Sequence, residues 1–143
     1  MKKCLYVLPL FLLIASFYLE AACLKAPKGT LRVGPGPQFK ALWEIGLYSP
    51  VKIIKQRKAW LKVEDADGVQ GWIESPKVSQ DFFCGSVKYE RVRLQLETQT
   101  IGKKAYAFFD QNFKIIKFQK RGILTLSQTG EKFILQRRDL WVQ

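Results

Sequence analysis

Residues 51–73, VKIIKQRKAWLKVEDADGVQGWI, read as three β-strands in succession. Segments 51–55, 59–63 and 69–73 are rich in branched and aromatic residues, and polar or turn-forming stretches separate them. Between the last two lies Asp65-Ala66-Asp67-Gly68, whose glycine supplies the positive φ that a tight hairpin turn requires. Upstream, segments 30–33 and 41–45 have the same character, with Gly34-Pro35-Gly36-Pro37 between them. Strands of about five residues recurring every ~8–12 residues indicate a small antiparallel barrel or sandwich. Nowhere after Cys23 does an apolar period of 3.6 persist with helix caps, so an all-β protein is expected.

The same stretch recurs. Lys52-Ile53-Ile54-Lys55 returns as Lys114-Ile115-Ile116-Lys117, and the same offset carries Gly68 onto Gly130, Trp72 onto Ile134 and Ile73 onto Leu135. A shared offset that reaches a turn glycine and the next strand argues for two units rather than a chance tetrapeptide. Segment 59–63 corresponds more loosely to 122–126, with one residue moved between neighbouring loops. The expected division is 22–84 for a first small barrel and 85–143 for a divergent second one.

The chain opens with Met1-Lys2-Lys3-Cys4, an apolar run LYVLPLFLLIASFYL at residues 5–19, and Glu20-Ala21-Ala22-Cys23. A basic head, a short apolar segment and small residues at the exit are the parts of a secretory signal, expected here at residues 1–21. The run is shorter than the ~20 residues that cross a bilayer, and Pro9 interrupts it, so no transmembrane segment is expected in the mature chain. A periplasmic or secreted protein follows. Cys4 leaves with the signal, and Cys23 and Cys84 remain as a disulfide candidate in an oxidising compartment. The alternative is that Cys23 carries a lipid anchor, against which Glu20 stands at a position that lipoprotein signals usually fill with Leu.

Residues 30–73 closely resemble the bacterial SH3-like domains of exported proteins. The resemblance rests on Leu31-Arg32-Val33-Gly34-Pro35-Gly36, Trp43, Trp60-Leu61-Lys62-Val63 and Asp65-Ala66-Asp67-Gly68-Val69-Gln70-Gly71-Trp72. The second unit resembles the tail of the second copy in tandem members, with the Gly-Trp pair replaced by Lys132-Phe133 or Phe133-Ile134 and no Gly-Pro-Gly before it. The resemblance implies two tandem SH3-like barrels, each partly open and five-stranded, and a binding or scaffolding role in the cell envelope without catalysis.

The chemistry of the side chains agrees. The chain contains 24 Lys and Arg, 12 Asp and Glu and no His, a formal charge of +12. Loss of Lys2, Lys3 and Glu20 with the signal changes 24 to 22 and 12 to 11, leaving +11. The absence of histidine removes the commonest general base and metal ligand, and neither a metal site nor a cofactor site is expected. Gly34-Pro35-Gly36 lacks the third glycine and the Lys-Ser/Thr of a phosphate cradle, and shapes a loop instead. The candidate ligand groove comprises Phe39, Trp43 and Trp60, rimmed by Lys55, Arg57 and Lys58, while Trp72 is expected to pack inside. Lys117, Lys120 and Arg121 form the corresponding basic loop of the second unit. A cell-wall polymer or an envelope protein is the expected partner, with anionic surfaces as the alternative. Export argues against nucleic acid.

Overall fold

The structure, a computed structural model, describes residues 20–96 and 105–142. Two seven-stranded antiparallel sheets account for them, joined by short turns and two 3-10 segments, with no α-helix among the described residues. The first sheet comprises β1 (Glu20–Leu24), β2 (Lys28–Arg32), β3 (Ala41–Gly46), β4 (Pro50–Arg57), β5 (Trp60–Asp65), β6 (Gln70–Glu74) and β7 (Val78–Ser79), in the order β3-β2-β6-β5-β4-β1-β7. The second comprises β8 (Phe83–Val87), β9 (Arg91–Leu96), β10 (Ala105–Phe108), β11 (Asn112–Gln119), β12 (Gly122–Leu126), β13 (Lys132–Leu135) and β14 (Leu140–Val142), in the order β10-β9-β13-β12-β11-β8-β14. The two orders are the same, position for position.

Each sheet curls round its own core. Leu24, Leu31, Ile45, Val51, Val63, Ile73 and Val78 draw on all seven strands of the first sheet. A flat sheet could not bring seven strands to one apolar cluster. In the second sheet Phe113 replaces Val51, Ile123 replaces Leu61 and Leu135 replaces Ile73. One replacement is compensatory. The cross-strand pair Val63–Gly71 of the first unit is Thr125–Phe133 in the second, where the Phe133 ring meets Phe113 edge-on at 6.3 Å. Thr125, fully buried, donates its hydroxyl to the Phe133 carbonyl at 3.1 Å. Gly71 has no such room: a Cβ there would lie 2.7 Å from Leu31 Cβ.

The repeat extends to irregularities. The β4–β5 register shifts between Ile53 and Lys55, and the β11–β12 register shifts between Ile115 and Lys117. Gly68 (φ +82°) and Gly130 (φ +85°) occupy matching turns, in which the Gly68 amide donates to the Asp65 carbonyl and the Gly130 amide to the Ser127 carbonyl. The turn after β5 is further held by Asp65 Oδ1, which accepts from the amides of Asp67 (3.0 Å) and Val69 (2.8 Å).

Three expectations change. Each unit has seven strands rather than five, because β4 acquires β1 on its free side and β7 pairs with β1. Segment 59–63 aligns with the second unit without any displaced residue, since Arg57↔Trp60 and Gln119↔Gly122 are corresponding pairs. Cys23 and Cys84 do form a disulfide (Cα–Cα 6.0 Å), but it does not tie the first barrel shut. Cys23 lies in β1 and Cys84 in β8, where it pairs with Lys114, so the bond joins the first strands of the two sheets. The expected signal falls outside the described residues except for Glu20 and Ala21, which pair with Ile53 and Lys52. No helix among the described residues is long and apolar enough to cross a membrane.

Candidate functional site: a basic aromatic face on the first sheet

Residues directly opposite one another on neighbouring strands share a face of the sheet. Across the first sheet one such row runs Lys55 (β4), Lys62 (β5), Trp72 (β6), Arg32 (β2). Its neighbours Leu61, Val63 and Ile73 point to the core, so this row lies on the outer face. Trp60, two residues before Lys62, shares the face, and so does its partner Arg57. Lys55 Nζ stands 5.4 Å from the centre of the Trp72 ring, within cation–π range.

Trp72 is thus buried, at 8 % exposure, but not inside the barrel as the sequence suggests. Its indole lies on the outer face with Lys55 over it. The β4 irregularity is what makes the row: without the extra residue between Ile53 and Lys55, Lys55 would follow Ile53 to the core side.

Of the sequence-derived site residues, the structure brings Lys55, Arg57 and Trp60 to this face and adds Arg32, Lys62 and Trp72. Lys58 sits in the β4–β5 turn with φ 53°, exposed, its carbonyl accepting from Gln56 Nε2. Phe39 lies in the loop after β2, its ring against Gly34 and its carbonyl accepting from Arg32 Nη1 at 2.8 Å. Trp43 is placed elsewhere. On edge strand β3, it is half exposed and lines a crevice between the two units together with Asp65, Asp67 and Asp110. Burial raises the Asp65 carboxyl above its ordinary value, opposed by the Val69 and Asp67 amides and reinforced by neighbouring Asp67 and Glu64. Asp110, exposed as a whole residue, is also raised, first by partial burial of its carboxyl and then by the charges of Asp67 and Asp65, with Ser86 opposing.

The second unit does not repeat the face. Where the first has Lys62, Trp72 and Arg32, the second has Leu124, Ile134 and Gln95 at the corresponding pairs, and Gly122 stands for Trp60. Sequence reasoning missed Lys62 and Arg32 because only strand pairing shows that they flank Trp72. The period-2 spacing of Trp60 and Lys62 was the available signal.

Residues 25–80 match the family model of the bacterial SH3 domain. They cover β2 to β7, the strands that carry the basic aromatic face. No curated protein matches the chain. Among solved structures, an NlpC/P60 family protein from Bacillus cereus is similar at 12 % identity and TM-score 0.44, over 87 % of this chain and 56 % of that one. NlpC2 from Trichomonas vaginalis (12 %, TM-score 0.41, 89 % and 49 %) and NlpC1 from the same organism (11 %, 0.41, 90 % and 48 %) are also similar. The chain spans about half the length of these structures.

Proposed function

We propose that the protein is a non-catalytic, exported binding or scaffolding protein of the cell envelope, and that the outer face of its first sheet seats the partner. The carrying observation is the row Lys55–Lys62–Trp72–Arg32, with Trp60 and Arg57 beside it, on the unit that matches a bacterial SH3 domain. Cations around indole faces suit a polymer that offers sugar rings and anionic groups, and peptidoglycan is the envelope polymer of that kind. A disulfide and a bacterial SH3 domain fit an extracytoplasmic setting. With Cys23 sulfur in the disulfide, we read the mature protein as periplasmic or secreted without a lipid anchor.

The second reading is a protein that docks on anionic envelope surfaces by charge alone. The exposed Lys117, Lys120 and Arg121 of the second unit favour it. Cosedimentation of the exported protein with insoluble peptidoglycan separates the two. Groove binding predicts pelleting at low salt that survives moderate salt in part and falls several-fold in Trp60→Ala and Lys62→Ala. Charge docking predicts pelleting abolished by moderate salt and indifferent to Trp60→Ala. Failure to pellet under any condition rejects peptidoglycan as the partner.

A further inference from the structure

The crevice between the two units carries a different chemistry from the rest of this basic protein. A cavity of about 40 Å³ is bounded by Trp43, Ser49, Asp65, Asp67, Asp110 and Asn112. That space suffices for one water-sized group. Beside it lies a larger cavity of about 160 Å³, lined by Val87, Phe109 and Trp141 with Lys88 at its margin, and the two share Ala66, Asp67 and Asp110.

Both units build the small cavity, and every feature in it is an acceptor. Asp65 and Asp67 come from the turn after β5, and Asp110 from the turn before β11 with φ 61°. Asn112, only 6 % exposed, donates Nδ2 to Ser49 Oγ at 3.0 Å, which fixes the orientation of the amide. Its Oδ1 is left buried without a partner. A buried acceptor with no donor costs about 1–3 kcal/mol and calls for a donor from outside the chain. Among the described residues no three acidic side chains lie close enough to share a metal ion. The required guest is therefore a water-sized group that donates several hydrogen bonds, carries positive charge and has an apolar tail for the larger cavity.

We infer that the crevice between the units binds a primary ammonium group on a short alkyl chain, with the ammonium against Asn112, Asp65 and Asp110 and the chain along Phe109 and Trp141. Asn112 Oδ1 accepts from the ammonium, the carboxylates balance its charge, and the aromatic faces cover the methylenes. This site lies apart from the outer face of the first sheet and does not depend on what that face binds.

The test is a titration of the full exported protein with n-pentylammonium, followed by NMR at the Asn112 side-chain amide and the Ala66 and Asp110 backbone amides. The expected result is saturable shifts at these three positions, absent with 1-pentanol. Asp110→Asn and Asp67→Asn, which preserve shape, should each weaken binding about tenfold, the loss of one charge-assisted contact. N-acetyl-lysinamide against N-acetyl-norleucinamide distinguishes the sources: binding of the lysine compound assigns the site to peptide-borne amines, and binding of pentylammonium alone assigns it to free ones. The inference is overturned if 1-pentanol binds as tightly, if calcium ions produce the same shifts at equal concentration, if nothing saturates and the cavity holds water only, or if both Asn variants bind unchanged.

Discussion

Asp65 and Asp110 hold their charge against their surroundings, and that has a direction in pH. A carboxyl whose pKa is raised in the folded state favours the protonated form there. Its contribution to stability is present below the ordinary value of 3.8 and is lost as pH rises through the raised one. Asp65→Asn and Asp110→Asn therefore melt above the parent near neutral pH, and the advantage closes as pH falls below 3.8. Asn retains the Oδ1 that accepts from the Asp67 and Val69 amides, and it tolerates the positive φ at position 110. Calorimetric melting temperatures across acid and neutral pH check this, and a constant gap would contradict it. The turn around Asp65 was legible from Asp67-Gly68 alone. Its electrostatic neighbour Asp110 was not, because it enters from the second unit and no local pattern connects the two turns.

At the level of strands, the exchange between Val63–Gly71 and Thr125–Phe133 shows how one topology accommodates two cores. A Phe at 133 fills the volume that Gly71 leaves to Leu31 in the first unit. Phe133→Ala should destabilise the second unit by about 3–5 kcal/mol through the cavity it opens beside Phe113. Urea denaturation reads this, and a loss below ~1 kcal/mol would mean that the site collapses freely. The strands from 28 to 74 were legible because branched residues alternate between turn signals, and the second copy was legible through a constant offset. Strand β1 escaped notice because Ala21, Ala22 and Cys23 are small and have no strand preference of their own; β4 supplies their pairing. Trp72 was misplaced for a related reason. An indole in a strand suggests the core, yet alternation with Ile73 sends it outward, and a residue's face depends on the register of its neighbours.

Across the whole molecule, three kinds of contact join the units: the Cys23–Cys84 bond, the hydrogen bonds from Asn112 to Ser49 and from Gln128 to the Leu47 carbonyl, and the edge-on Tyr48–Phe82 rings at 5.9 Å. Only the first is covalent. Replacing both cysteines by serine should cost ~4 kcal/mol in the loop-entropy account, and should divide denaturation into two transitions because each sheet has its own core. A single transition at an unchanged midpoint would show that the polar contacts alone couple the units. The pairing of two cysteines was legible from their number. Its geometry was not, since a bond from Cys23 to Cys84 looks like a clasp on one barrel until β8 is seen to belong to the next.

That bond also sets a clock. Cys23 and Cys84 are 1 % and 0 % exposed, each in a strand with partners on both sides, β4 and β7 for one and β11 and β14 for the other. An attacking thiolate must approach a sulfur through that cover. At high reductant concentration the rate of cleavage therefore stops following the reagent and becomes the rate at which the strands part, so the lifetime of the disulfide measures the lifetime of the closed junction.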